Sequence, residues 1–277
     1  MNIVSISRQV GSFGDEIGAK VAERAGLTYT GREKVHELAV GCDPEYSDAC
    51  SLYEAEHGPG FFARLFFDRP TYTSLFYALT YELASQGDVV IAGRGSQIVL
   101  RDVPGVLRVR VVAPTEMRVR RIMERHNCPE DEAWDYVHKL DSENRNQVRS
   151  IFDVDPRDWG LYDLVINTEK LTAAGGVDIV CQALKSIDKV ADPEAVKQDL
   201  TNRAVGKRIE TLVRKRLSSA VARYVEITVE AGGVVRITGR VAEKKEKQQV
   251  GEIVSEHPCV TKVENELKVT QLTFGAV

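Results

Sequence analysis

The first 26 residues follow the order buried strand, glycine loop, amphipathic helix, and this order limits the folds open to the chain. An apolar run at residues 3–6 leads into Gly11-Ser12-Phe13-Gly14, and apolar residues then recur at helical spacing from Ile17 onward. In such a turn, backbone N–H groups converge at a helix N-terminus that carries about half a positive charge. Two interpretations stay open: a loop that binds phosphate, or a plain connection from strand to helix.

The start of this helix lacks the residue that usually completes a phosphate loop. The common signature G-x-x-x-x-G-K-S/T places a lysine and a hydroxyl there, whereas this chain has Asp15 and Glu16. Carboxylates stabilise a helix N-terminus, and they also repel a bound anion. If phosphate binds, Arg8, which precedes the glycines, is the nearest cation that replaces the lysine.

Three further apolar runs read as buried strands, each followed by a stretch of helical character: Val89–Ala92, Val106–Val112 and residues 164–166. Strands that alternate with helices predict an α/β domain with a parallel sheet and helices on both faces. Residues 30–85 show no strand pattern, and their aromatic-rich part has a helical pattern with a break at Pro70. We expect this excursion to cover the substrate.

A second pattern begins after a polar stretch that follows Lys185. A helix precedes two strands joined by Glu230-Ala231-Gly232-Gly233, and another helix and a closing strand follow. Two strands that meet at a glycine turn are typical of a hairpin. We therefore predict an α/β domain at residues 1–187, a linker at 188–198 and a small α+β domain at 199–277, and a length of 277 residues suits two domains.

Charge, cysteine content and hydropathy limit the kinds of binding partner and the cellular compartment that we expect. The formal net charge of −4 gives no reason to expect a nucleic acid as partner. The five cysteines are odd in number and include no C-x-x-C pair, which favours a reducing compartment and argues against a zinc site. No apolar run approaches the roughly 18 residues of a membrane span. We expect a cytoplasmic protein without a membrane span, and homo-oligomerisation is left open.

An arginine between two glycines follows the second apolar run. Arg94, flanked by Gly93 and Gly95, lies where the carboxyl end of that strand is expected, the edge at which open α/β sheets bind ligands. Its planar fork suits a phosphate. The alternative is a surface arginine in a turn.

Two further segments are rich in arginine. The segment TEMRVRRIMERH contains Arg118 and Arg121, and in KLDSENRNQVR the residues Asp141, Arg145 and Arg149 recur every four positions along one helical face. Each segment alone is typical of a solvated face. Taken together with Arg94, they indicate phosphoryl transfer, because converging cations stabilise a migrating phosphoryl group.

Four ordered motifs resemble those of the cytidylate kinase-like family, a branch of the P-loop nucleoside monophosphate kinases. They are ISRQVGSFGDEIGAKVAE, VVIAGRGSQIVLRDVPGVLRVRVVAPTEMRVRRIMER, KLDSENR and WGLYDLVINTEKL. Family members typically carry S-R-x-x-G-S-G-G in place of the lysine signature, so the resemblance implies a phosphate loop without that lysine. It further implies a P-loop kinase-type parallel sheet, with ATP as the phosphoryl donor and Mg²⁺ bound to the donor phosphates.

The resemblance and the residue patterns together assign roles to individual residues. The donor phosphates are expected to lie against Arg8, Gly11, Ser12, Phe13, Gly14 and Asp15, with Ser12 or Asp15 contacting Mg²⁺. The acceptor is expected to lie against Arg32, Gly93, Arg94, Gly95 and Asp141. The migrating charge is expected to be neutralised by Arg94, Arg145, Arg149 and Arg121.

Three positions depart from the family pattern. Phe13 replaces a glycine, Asp15 stands where a basic residue is frequent, and Gly31 stands where relatives more often have Asp.

The C-terminal segment resembles a BON domain through VEITVEAGGVVRITGRVAEKKEKQQVGEIVSEHPCVTKVENELKV. Such domains bind lipid surfaces, small ligands or proteins, and here the resemblance implies a regulatory or docking role with a small ligand or a protein partner.

We therefore predict phosphoryl transfer from Mg-ATP to a nucleoside monophosphate, CMP or dCMP. Two alternatives stay open. The first is a nucleotide-binding regulatory protein that transfers no phosphate and signals through the BON-like domain, motivated by Phe13, Asp15 and Gly31. The second is kinase chemistry on another small acceptor, chosen by residues 30–85.

Overall fold

The structure is a computed structural model that describes residues 1–31, 69–93, 95–188, 190–217 and 219–270, apart from the side chains of Tyr72, Ser219 and Ala220. Its described residues form two compact units. The first comprises residues 1–31 and 86–196, and the second comprises residues 69–85 and 197–270.

The first unit contains a five-stranded sheet with helices. In chain order its elements are β1 (Ile3–Arg8), α1 (Gly14–Ala25), β2 (Thr28–Thr30), β3 (Val89–Ala92), α3 (Ser96–Val99), β4 (Val106–Val112), α4 (Thr115–His126), α5 (Glu130–Phe152), a 3-10 turn (Trp159–Leu161), β5 (Leu164–Asn167) and α6 (Ala173–Ser186). Helix α2 (Arg69–Ser85), which lies between β2 and β3 in the sequence, belongs to the second unit. The strand order is β2-β3-β1-β4-β5, and every neighbouring pair is parallel. The carboxyl ends of all five strands therefore lie at one edge of the sheet.

The central strands are buried on both faces, which is why they read as continuous apolar runs. All four residues of β3 and the first four residues of β1 are buried. Helices α1 and α6 cover this sheet through a core that includes Ile17, Val21, Val177 and Val180. The predicted α/β fold with a parallel sheet is thus confirmed.

The sheet has one strand more than the sequence pattern shows. Strand β2 is only three residues long, Thr-Tyr-Thr, and it pairs with β3 from Thr28 opposite Val89 to Thr30 opposite Ile91. Three residues are too few for a strand period to be recognised. The segment that reads as a loop therefore adds an edge strand.

The second unit takes one helix from the middle of the chain. Its elements are α2 (Arg69–Ser85), the larger part of α7 (Pro193–Arg216), α8 (Ser219–Ala222), β6 (Val225–Val229), β7 (Val234–Val241), α9 (Lys244–Ser255), β8 (Lys262–Asn265) and β9 (Lys268–Val269). Strands β6 and β7 are antiparallel, which confirms the hairpin, and β8 and β9 pair with β7 in parallel. The predicted small α+β unit is confirmed.

Helix α2 begins beside Pro70, the residue at which the sequence predicts a break in the helical pattern. The helix begins at Arg69, so Pro70 lies in its first turn, where a missing N–H leaves no hydrogen bond unmade. Within the second unit, the hydroxyl of Ser74 donates to Glu210 Oε1 at 2.8 Å, and Glu82 pairs with Arg208. Of the expected substrate cover, residues 69–85 therefore belong to the C-terminal unit and residues 30 and 31 to the first, while residues 32–68 lie outside the described residues.

The two units meet in sequence within α7, which runs from Pro193 to Arg216. The exact bounds of 1–187, 188–198 and 199–277 stay predictions. Among the helices that the structure describes, none combines the length and the apolar character needed to cross a bilayer.

Candidate active site

A cavity of ≈ 280 Å³ lies in the first unit, at the edge where the strands end. It is lined by the ends of β1 and β3, by one residue of β4, by one face of α5 and by the segment before β5: Ser7, Arg8, Gln9, Gly93, Gly95, Gln97, Arg110, His138, Asp141, Ser142, Asn144, Arg145, Gln147, Val148, Pro156 and Arg157. Four of these residues are arginines and one is an aspartate. The cavity therefore suits an anionic ligand.

The glycine loop between β1 and α1 has a backbone that a side chain would disturb. Gly11 has a φ of +74°, and a Cβ there would lie 3.0 Å from the carbonyl oxygen of Arg118. A Cβ on Gly14 would lie 2.3 Å from Cβ of Arg8. These two glycines thus allow the loop to pass close to α4 and to the end of β1.

Helix α1 begins with N–H groups that no side chain caps. Its N-cap residue is Phe13, in the left-handed region with a φ of 66°, and makes no side-chain cap hydrogen bond. The first intrahelical bond is from Ile17 N–H to Phe13 O at 2.8 Å, so the N–H groups of Gly14, Asp15 and Glu16 have no intrahelical acceptor. Such a helix start can bind phosphate oxygens.

Ser12 fixes the shape of this loop from within. Its side chain is fully buried, and its hydroxyl lies 2.7 Å from Gln9 O and 3.1 Å from Val111 O. Both of these atoms are carbonyl oxygens, so the hydroxyl proton points into the protein. Ser12 therefore ties the loop to the end of β4.

Arg8 contacts both the acidic start of α1 and the glycine segment that follows β3. Its Nε donates to Asp15 Oδ1 at 2.8 Å, and Tyr29 OH donates to the same oxygen at 3.2 Å. A Cβ on Gly93 would lie 2.1 Å from Arg8 Nη1, so the guanidinium lies directly over that glycine. Arg8 thus offsets the charge of Asp15 and places a cation where the lysine signature is missing.

The pKa of Tyr29 matches its role as a donor. Burial of the ring, with the Asp15 carboxylate beside it, raises the pKa of Tyr29 to about 12. The phenol therefore keeps its proton at neutral pH and holds Asp15 in place.

Asp141 lines the cavity and pairs with a buried cation. Its two carboxylate oxygens accept from Nη1 and Nη2 of Arg118 at 3.1 and 2.8 Å. The Arg118 side chain is 2% exposed, and its other donors reach Ala113 O, Val10 O and Thr115 Oγ1. This pair joins α4 to α5 and places α5 beside the cavity.

Arg121 is held by the loops on either side of it. Its Nη1 donates to Gly11 O and to Thr168 Oγ1, both at 3.0 Å, and its Nη2 donates to Thr168 O at 2.7 Å. The guanidinium also lies 3.8 Å from the centre of the Phe13 ring. Burial lowers the pKa of Arg121, which still stays charged at neutral pH. Phe13, the departure from the family's glycine, therefore packs against an arginine that holds the glycine loop.

The other predicted catalytic arginines differ in position. Arg145 lines the cavity, and among the described residues its guanidinium has no ion-pair or hydrogen-bond partner. Arg149, one turn later on α5, is exposed and does not line the cavity. Arg94 and Arg32 lie outside the described residues, whereas Gly93 and Gly95, which flank Arg94, both line the cavity with positive φ.

Among the residues that sequence reasoning missed at this site are four that hydrogen bonds connect. Ser7, Gln97, Arg110 and Tyr162 are joined by hydrogen bonds, with Arg110 Nη1 donating to Ser7 Oγ and to Tyr162 OH at 3.0 Å each. One signal was present, because Arg110 interrupts an apolar strand on its less buried face. Gln97 carried no pattern that distinguishes it from other residues of a short helix.

No group of three or more His, Cys, Asp or Glu side chains that could hold a metal ion occurs in the part of the chain that the structure describes. The donors that could contact a metal bound to phosphate are therefore few. Asp15 is 60% exposed, and its Oδ2 has no hydrogen-bond partner among the described residues. Of the two predicted Mg²⁺ contacts, Asp15 fits, whereas the Ser12 hydroxyl is turned toward backbone carbonyls.

Comparison with known proteins identifies both parts of the chain. The cytidylate kinase-like family matches residues 3–170, and the BON domain matches residues 207–271. A cytidylate kinase of Pyrococcus horikoshii is 30% identical over 117 residues, which cover 42% of this chain and only 60% of that protein. A cytidylate kinase of Methanocella arvoryzae is 27% identical over 189 residues, which cover 68% of this chain and 99% of that protein.

A solved structure shows the same fold. An uncharacterized protein from Eubacterium ventriosum superposes with a TM-score of 0.53 at 19% identity, covering 67% of this chain and 99% of that one. The resemblance deduced from the sequence motifs is confirmed for both parts of the chain.

Proposed function

The chain belongs to the cytidylate kinase-like family, and from this premise we propose that it transfers a phosphoryl group from Mg-ATP to a nucleoside monophosphate, CMP or dCMP. The observation that carries the proposal is the position of Arg8. It reaches from the uncapped start of α1 to Gly93 beside the cavity, so one cation lies between a phosphate-binding loop and an arginine-lined cavity.

The donor is assigned to the loop and the acceptor to the cavity. The N–H groups of Gly14, Asp15 and Glu16 bind donor phosphate oxygens, and Arg8 supplies the charge of the absent lysine. An acceptor phosphate oxygen attacks the γ-phosphorus in line, the bond from that phosphorus to the β–γ bridging oxygen breaks, and ADP leaves. No covalent enzyme intermediate is needed, so the protein acts by positioning and by charge.

Arg145 is the cation best placed to neutralise the migrating charge. It lines the cavity, and no described residue forms a hydrogen bond or an ion pair with its guanidinium. Arg121 makes four hydrogen bonds through its Nη atoms within the protein, which favours a positioning role at the loop. Mg²⁺ would supply further charge neutralisation at the donor phosphates, and Asp15 is the carboxylate that would contact it.

The C-terminal unit is assigned a regulatory or docking role. It matches the BON domain, and it includes α2, a helix from the middle of the kinase sequence. Binding of a small ligand or a protein partner to this unit would therefore act on a helix that leads into β3 and Gly93.

A second candidate is nucleotide binding without transfer. The observation that favours it is that Arg118 and Arg121 direct their donors to protein atoms. Among the described arginines of the two arginine-rich segments, Arg145 alone both lines the cavity and has no hydrogen-bond or ion-pair partner. Saturable ATP or CMP binding with no product under any acceptor would select this candidate.

The experiment that tests the first candidate is CDP formation from CMP and Mg-ATP, followed by chromatography, with wild type and Arg94→Ala. We expect CDP from wild type and none above background from the variant, with unchanged circular dichroism. Equal CDP formation by the two proteins would remove Arg94 from the site.

A further inference from the structure

Gln97 has a buried oxygen with no partner. The residue is 1% exposed and lines the cavity, and among the described residues nothing donates a hydrogen bond to its Oε1. A buried acceptor without a donor is costly, because it has lost its hydrogen bonds to water without replacing them. An unpartnered acceptor in the wall of a cavity is typical of a site that receives its donor from a ligand.

The orientation of the Gln97 amide follows from the hydroxyl of Tyr162, whose nearest acceptor is Pro156 O at 2.7 Å, with Ser7 Oγ farther away at 3.4 Å. Pro156 O is a carbonyl oxygen that can only accept, so the phenol proton is directed there. The phenol oxygen must then accept from its other neighbours. Gln97 Nε2 approaches it at 3.4 Å and Arg110 Nη1 at 3.0 Å. The NH₂ end of Gln97 therefore faces Tyr162, and Oε1 is the end left for a ligand.

Arg110 supplies donors next to this acceptor. Its Nη1 is used by Ser7 and Tyr162, whereas its Nε and Nη2 meet no acceptor among the described residues. Gln97 and Arg110 both line the cavity and share the Tyr162 hydroxyl. Together they present one acceptor beside a fork of donors.

We propose, resting on the function proposed above, that Gln97 determines acceptor specificity by accepting a hydrogen bond from an exocyclic amino group of the acceptor base. The cytosine edge presents an amino donor beside ring acceptors, which Arg110 satisfies. Uracil presents a carbonyl oxygen where cytosine has its amino group, so it would set oxygen against oxygen at Gln97. Tyr162 is a positioning residue, because it prevents the amide from turning over.

The test compares CMP with UMP as ligands of the full-length protein. Variants are Gln97→Met, which keeps the volume and removes the acceptor, and Tyr162→Phe, which frees the amide to rotate. Gln182→Leu, on the exposed face of α6, is the matched control. Both the ratio of kcat/KM values and the ratio of dissociation constants from calorimetry are measured.

We expect wild type and the control to prefer CMP, and Gln97→Met to lower that preference by about tenfold or more. In Tyr162→Phe, UMP should gain relative to CMP, because the rotated amide can donate to the uracil carbonyl. If the role of Gln97 were purely structural, Gln97→Met would weaken the binding and turnover of CMP and UMP equally.

The outcomes separate this proposal from the proposed function. If neither CDP nor UDP forms but the ratio of dissociation constants falls in Gln97→Met, phosphoryl transfer is wrong and the specificity role stands. An unchanged preference in folded Gln97→Met and Tyr162→Phe, equal affinity of wild type for CMP and UMP, or binding of neither nucleotide would overturn the specificity role. Should Gln97→Met fail to fold, Tyr162→Phe alone decides.

Discussion

Removing the Asp141 carboxylate should destabilise the first unit, because it leaves a buried cation without its counter-charge. Arg118 is 2% exposed and is bonded by both Asp141 oxygens at 3.1 and 2.8 Å. Breaking a buried ion pair by removing one partner costs about 3–5 kcal/mol. Asp141 is 30% exposed, so solvent partly screens the ion pair, and we expect Asp141→Asn to lower the free energy of unfolding by about 2–3 kcal/mol.

The assay is urea unfolding followed by tryptophan fluorescence. Both tryptophans of the chain, Trp134 and Trp159, lie in the first unit, so the signal reports that unit alone. The matched control is Asp135→Asn, an exposed aspartate on the same helix, which should stay within about 0.5 kcal/mol of wild type.

A double-mutant cycle isolates the pair from the rest of the Arg118 contacts. Arg118→Met with Asp141→Asn should cost less than the sum of the single changes, with a coupling free energy of at least about 1.5 kcal/mol. Equal stability of Asp141→Asn and Asp135→Asn, or a coupling free energy near zero, would refute the proposed role of the pair in joining α4 to α5.

Three further predictions concern Arg145 in the cavity, Glu210 in the C-terminal unit and helix α2. Arg145→Met should lower kcat by about 100-fold or more while Arg149→Met, which does not line the cavity, loses far less; similar losses in initial-rate assays would contradict the assignment. Burial raises the pKa of Glu210, but the cations beside it lower that pKa further, so its net shift is downward. Its contribution to stability is therefore present above the carboxyl's unfolded pKa of about 4.3 and is lost as pH falls through the folded value; Glu210→Gln should flatten that acid slope in circular-dichroism unfolding curves. A chain truncated after Ile187 should expose Arg69–Ser85 to limited proteolysis, mapped by mass spectrometry, and equal protection in both chains would show that this helix does not need the C-terminal unit.

The sheet was predictable because its central strands follow a simple rule. Strands β1, β3 and β4 are covered on both faces or alternate in burial, so their apolar runs stand out in the sequence. Strand β2 has no such run and forms only because β3 offers an edge, from Thr28 to Thr30. Strand β2 depends on its pairing with β3, and a local sequence pattern does not reveal such a tertiary contact.

The site was predictable where the motif is local and unpredictable where partners are distant. The loop glycines and Arg8 lie within seven residues of Asp15, so their grouping can be read from the sequence. The partner of Arg118 is 23 residues away, and the hydroxyl that orients Gln97 is 65 residues away. Whether an arginine faces a ligand or a buried carboxylate depends on such distant neighbours, as Arg145 and Arg118 show.

The measurement that tests the account most directly is ADP release by the full-length protein with Mg-ATP, against each common ribo- and deoxyribonucleoside monophosphate in turn. We predict strong stimulation by CMP or dCMP, and a loss of that stimulation when Arg8, the cation that takes the place of the absent lysine, is replaced by Met. No stimulation by any of these acceptors, from protein shown to be folded, would contradict phosphoryl transfer to a nucleoside monophosphate.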